Sequence, residues 1–200
     1  MNATESRIEI PTIIGTPAKL GIYFGRICAG RATYALFQPP KTIAEHAPAP
    51  WNETDKRIDE AYSFSDGHAN TVAMAKADSK FAQWALDNDM YIPSLDESDL
   101  QYRAFKPGTT ENHCWMRSGI NLSVETPLHP YTPDFPKQTD LEAFRSGGAE
   151  AFAEKWYWTS TEHRATSNSA WVQDFGNGLQ INALKDLEFS VRAVRRALVP

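Results

Sequence analysis

From Trp156 onward the chain is a series of short β-prone runs, WYWTST, SAWVQDF, GLQINAL and EFSVRAVRR. Polar or glycine-bearing turns such as Gly176-Asn177-Gly178 separate them. Nothing else limits the available folds so strongly. Runs this short and this often interrupted predict a small antiparallel sheet. Inside it, Trp156, Trp158, Trp171 and Phe175 keep an apolar rhythm, while the stretch from Glu162 to Ser169 offers almost nothing to bury.

Two helices are expected ahead of that sheet. The first follows the Asp66-Gly67 turn, with Asn70 or Thr71 as cap. Val72, Met74, Ala75, Phe81, Trp84 and Ala85 supply its apolar face. The second lies in PSLDESDLQYRAFKP, where Ser94 and Glu97 form an S-x-x-E capping box and Pro107 ends the run. Capping and solvation of this helix start account for the carboxylates Asp96, Glu97 and Asp99. A further capping box is read at Thr139 and Glu142. Helices followed by an antiparallel region predict an α+β domain.

Near the N-terminus, LGIYFGRICAG and ATYALFQPPK predict a β-hairpin. Residues 1–45 are expected as an extension carrying it and residues 46–200 as the main domain, with a loop-like boundary from Thr42 to Pro50. A proline-rich insert spans about 117–138. In it Pro127, Pro130, Pro133 and Pro136 recur every third residue, the period of a polyproline II strut. Leu128, Tyr131 and Phe135 would pin that strut to a surface. It reads as an ordered insert or as a contact to a neighbouring subunit of a homo-oligomer.

Several function classes lose support. A net charge of -5 disfavours nucleic acid. No apolar run approaches the ~18 residues of a membrane span, so membrane insertion is not expected. The N-terminus shows no basic segment followed by an apolar one, which predicts folding in a cytoplasm. Cys28 and Cys114 are expected to be buried thiols. His46, His68, His113, His129 and His163 are scattered, and no metal, cofactor or nucleophile–base motif is recognisable. A non-enzymatic protein without cofactors is expected. Arg192, Arg195 and Arg196 read as strand-end charges.

Tyr91-Ile92-Pro93, Trp158-Thr159-Ser160-Thr161, Trp171 with Phe175 and Gly178, and Val191-Arg192-Ala193-Val194-Arg195 occur in that order. Together they resemble the Lcl C-terminal-domain family, a branch of the C-type-lectin fold common in bacterial surface proteins and phage genomes. YFGRICAG, YALFQPPK and DGHANT are similar to extensions of phage-encoded members. Met90 stands where that family often has Trp, and Asp99-Leu100 is displaced from its E-L pair. The Glu-Pro-Asn and Trp-Asn-Asp signatures of calcium-dependent sugar binding do not occur, so calcium chelation is not implied.

The resemblance implies a C-type-lectin-like fold, with two helices and a small antiparallel sheet, whose indole frame stiffens a polar recognition surface. The residues expected to face outward there are Glu162, His163, Arg164, Asn168, Ser169, Asp174, Asn177, Gln180, Asn182, Lys185, Asp186 and Glu188. It further implies a phage virion protein, made in the host cytoplasm, that contacts other virion proteins and a host cell-surface receptor, glycan or protein. In related proteins such a surface is sometimes rewritten by diversity-generating retroelements, with which Asn168, Ser169, Asn177 and Asn182 are compatible. A decoration component of capsid or tail is the alternative. A formylglycine-generating type of enzyme is a third reading, against which the positions of Cys28 and Cys114 count.

Overall fold

The computed structural model describes residues 9–113, 120–126 and 128–200. The hairpin forms as expected, from β2 (Gly21–Ala29) and β3 (Ala32–Gln38). It does not stand apart from the rest. The outer edge of β2 takes the two-residue β1 (Pro17–Ala18), and β3 pairs with the C-terminal strand β9 (Arg195–Leu198), giving an antiparallel sheet β1-β2-β3-β9. Phe24, Ile27 and Leu36 from its inner face are fully buried in the main core. The hairpin thus shares both a sheet and a core with the C-terminal half.

After α1 (Lys41–Ala44), the stretch EHAPAP, expected as loop, is strand β4 (Glu45–Pro50). It lies on the edge of a second sheet, where prolines cost no ladder bond, and a register shift falls between His46 and Ala49. This sheet has the order β4-β8-β5-β6-β7, from β5 (Trp156–Glu162), β6 (Ser169–Asp174), β7 (Gln180–Leu184) and β8 (Glu188–Arg192). All its pairs are antiparallel except β5 with β8.

The expected first helix is two, α2 (Gly67–Lys76) and α3 (Lys80–Asp87). Asp78 between them has φ 63, a left-handed conformation that short polar side chains tolerate, and Ser79 Oγ donates to Trp51 O. The cap of α2 is Asp66, which accepts from Ala69 N at 3.0 Å. Asn70 and Thr71, expected there, are buried and bond to Ser63 and Gly67 instead. Thr139 and Glu142 form no capping box. Thr139 Oγ1 donates to Ala104 O, and only a 3-10 turn, Glu142–Phe144, follows. A turn with Thr132 bridged to Phe135 interrupts the proline strut, and Pro127 and Cys114 lie outside the described residues.

Helix α4 (Leu95–Phe105) begins with the expected capping box and is buried on every side; of its residues only Arg103 is not fully buried. The core around it joins Phe24, Ile27 and Leu36 of the first sheet to Tyr157 of the second and Phe175 just beyond β6. The opposite face of the second sheet carries Trp158, Ala170, Val172 and Val191 against Met74, Phe81, Ala82 and Ala85 of α2 and α3. The second sheet is therefore covered on both faces.

Burial also withdraws the carboxylates of α4 from solvent, contrary to expectation. Asp99 accepts from Arg103 Nε (2.8 Å), Asn121 Nδ2 (3.0 Å) and Tyr131 OH (2.5 Å). Asp96 accepts from Ser123 Oγ at 2.5 Å. Glu97 Oε2 accepts from Ser94 N (2.7 Å) and Gly67 N (3.1 Å), and Oε1 meets Tyr91 OH at 2.8 Å. Gly67 is required here, because a Cβ would overlap Glu97 Oε2 and the chain at Ile92 and Ser94. Gln101 reaches Gln38 Oε1 at 2.7 Å and Arg192 O at 3.2 Å.

Burial lifts the Glu97 carboxyl from its ordinary 4.5 to about 7, against the donors that favour its charge. Between these values the folded protein holds a proton that the unfolded chain has released. Stability from this group is therefore greatest below pH 4.5 and declines as pH rises to about 7, by on the order of 3 kcal/mol. Urea titrations at about pH 5 and about pH 8 should show that decline in the native chain and lose it in Glu97→Gln.

Candidate functional site

The polar stretch after β5 is a loop whose two ends turn inward. Glu162 Oε1 and Lys185 Nζ pair at 2.5 Å with both side chains fully buried. The ammonium also donates to Lys56 O at 2.9 Å and lies 4.8 Å from the Trp51 ring centre. Glu162 Oε2 accepts from Ile58 N at 3.0 Å. The pair thus ties the segment around residues 51–58 to the ends of β5 and β7.

Four residues expected to face outward are therefore inside. They are Glu162, Lys185, Ser169 and Gln180, the last donating from Nε2 to Leu95 O and Gln173 Oε1. The expectation assumed one solvated face for the sheet, whereas helices cover both. Alternation then delivers polar side chains to a second interior, where each must be bonded.

Asp174 and Asn177 belong to the β6–β7 turn and spend their oxygens on it. Asp174 Oδ1 accepts from Gly176 N at 2.7 Å and Asn177 Oδ1 from Leu179 N at 3.0 Å. Partial burial pushes the Asp174 carboxyl up. Gly178 (φ 82) closes that turn against Tyr102 and Tyr131, whose rings any Cβ would strike. Asp186, between β7 and β8, and Glu188, the first residue of β8, are exposed, and Asn168 is exposed while its carbonyl accepts from Lys185 N. None of these five lines a described concavity that includes the loop.

His163 and Arg164 do. With Tyr62, Phe64, Ala165 and Trp171 they line a groove of about 400 Å³. Its floor is the edge of Trp171, 6% exposed, with Phe64 at 6.1 Å and the His163 ring at 5.2 Å between centres. Arg164 and Arg57 each approach the Tyr62 ring, at 5.8 and 6.0 Å, and Arg57 also donates to Tyr62 OH and Arg164 O. His163 Nδ1 and Thr166 Oγ1, 2.6 Å apart, tighten the loop. Asn182 is exposed directly opposite Trp171 in the β6–β7 register and shares its face. The trio His163, Arg164 and Asn182 is what the structure retains of the expected surface near this groove.

Sequence reasoning missed Tyr62 and Phe64. The chain brings them to Trp171 through Glu162 N donating to Ala61 O and Thr161 Oγ1 to Ser63 O. The aromatic–small alternation AYSFS was the available signal. Chemically, the groove offers rings for contact with apolar groups, with arginine and imidazole for hydrogen bonds. No group of His, Cys, Asp and Glu among the described residues could hold a metal ion.

Comparison with protein-family models, curated proteins and solved structures finds no match to this chain.

Removing one member of the buried pair strands the other. Lys185→Met should cost about 3–5 kcal/mol, and Glu162→Gln combined with Lys185→Met distinctly less, by denaturant titration. Equal losses would show that the second charge carries no stranding penalty.

Proposed function

We propose that the chain is a phage virion protein whose lectin-like domain presents the Tyr62–Trp171 groove to a receptor on the host surface, glycan or protein. The observation that carries this reading is the groove itself, with three aromatic side chains, Tyr62, Phe64 and Trp171, beside His163 and Arg164 on a loop that is pinned from beneath. A rigid aromatic platform loses little entropy on binding.

Support for a lectin-like arrangement comes from where the resembling motifs meet. Tyr91 exchanges both main-chain bonds with Val194, Ser160 N donates to Pro93 O, and Leu95 N donates to Thr161 Oγ1. Phe175 stacks on Phe152 beside Tyr102 of α4. The motifs, scattered over more than half the chain, converge on one helix. No helix among the described residues is long and apolar enough to cross a membrane.

Binding of the purified chain to envelope fractions from a panel of bacterial species tests the proposal. One or a few species should be retained, and Tyr62→Ala with Phe64→Ala should weaken retention roughly tenfold or more while leaving the melting temperature near that of the native chain. Equal retention of every fraction, or full retention by the double variant, would count against receptor recognition at this groove.

The decoration reading is favoured by Ile13 and Ile14, 72% and 53% exposed beside the first sheet. Truncation before residue 44 cannot test it, because it removes Phe24 and Leu36 from the core. Ile13→Asp with Ile14→Asp leaves that core intact and should abolish incorporation into particles if this surface docks on a viral partner.

A further inference from the structure

A larger concavity lies elsewhere on the molecule, about 710 Å³, and shares no lining residue with the aromatic groove. It opens between the first sheet and the helices. Its apolar lining comes from Leu20, Leu86, Met90 and Tyr91. Its cations are Lys19, Arg195 and Arg196 against one lining carboxylate, Asp89, a net positive lining in a chain of net charge -5.

Both guanidinium groups are held in place by the fold. Arg196 lies 4.0 Å from the Tyr34 ring centre and 5.5 Å from that of Tyr91, and NH1 donates to Asp66 Oδ1 at 2.8 Å. That contact uses one edge of the fork. Arg195 donates from Nε to Asp89 O and from NH2 to Asn88 O, main-chain acceptors at the end of α3, and forms no ion pair with a carboxylate among the described residues. Lys19 is exposed on the turn between β1 and β2, likewise without such a pair. His68, packed edge-on against Tyr91, is held below its ordinary value by burial and then by Arg196, so near neutrality it contributes an N–H and no charge.

The third arginine of the C-terminal cluster makes the contrast plain. Arg192 is buried, and its two terminal nitrogens pair with Glu45 at 2.9 Å and Glu150 at 3.0 Å. Arg195 and Arg196, on a strand continuing from it, are turned to a cavity instead. Fixed guanidinium groups beside an apolar lining are the elements of a pocket for a small oxyanion with an apolar or planar body.

We infer that this cavity is a second binding site, selective for a small molecule bearing a phosphate or carboxylate group, which Lys19, Arg195 and Arg196 receive while its body rests on Leu86, Met90 and Tyr91. The site is separate from the proposed receptor groove and does not depend on that reading.

Calorimetric titration of the full chain with inorganic phosphate, with glucuronate and with glucose as the neutral control tests it. Saturable binding of phosphate or glucuronate below about 10 mM, weakened by added salt, is expected, with glucose silent. Saturation by phosphate alone assigns a phosphate headgroup and by glucuronate alone a carboxylate; either result supports the site. Lys19→Gln and Arg195→Gln should each weaken it roughly tenfold. Arg164→Gln, in the aromatic groove, should leave it unchanged. Saturation by neither anion, binding undiminished in Lys19→Gln, or loss in Arg164→Gln would overturn the assignment.

Discussion

A helix that carries Asp96, Glu97, Ser98, Asp99 and Gln101 into the interior must find partners there, since an unpaired buried polar group costs about 1–3 kcal/mol and a charge more. This requirement arranges much of the molecule. Glu97 draws in the start of α2 and Tyr91, Asp96 draws in Ser123, and Asp99 draws in Asn121 and Tyr131. Gln101 links the helix to both sheets through Gln38 and the Arg192 carbonyl. Segments with little regular structure of their own are thus fixed by bonds to one element.

The same enclosure decides where recognition is possible. With helices on both faces of the second sheet, β5 and β6 are almost wholly buried, and the exposed side chains lie on loops and strand ends and on the edge strand β7. The loop after β5 is suited to recognition because Glu162, Lys185 and Trp51 fasten it from within, leaving His163 and Arg164 outside. Buried pairs of this kind are poor sources of net stability but strict about geometry. Here the geometry includes Tyr62 and Phe64, delivered by the segment that the pair ties down.

The two concavities differ in what they offer. One is lined by rings, with arginine at its border; the other is an apolar basin beneath fixed guanidinium groups. Rings favour apolar contact, and fixed guanidinium groups favour an anion. That Arg195 and Arg196 face a cavity while Arg192 is sealed against Glu45 and Glu150 follows from the chain passing from one sheet to the other between these residues.

Local signals determined a good deal: the hairpin, the Ser94–Glu97 cap, the four C-terminal strand segments and the Gly176–Gly178 turn are each written in a few neighbouring residues, because turn geometry, capping and period-two patterning are short-range. The burial of Trp158 and Trp171 was equally legible. What only the tertiary structure decided depends on what lies across from each element. A strand of EHAPAP exists because β8 offers an edge, and Glu162, Lys185 and Gln180 are interior because helices cover the face that alternation alone would leave wet. Tyr62 and Phe64 join Trp171 across roughly a hundred residues of chain, a proximity set by a buried ion pair and main-chain bonds that local patterning does not encode.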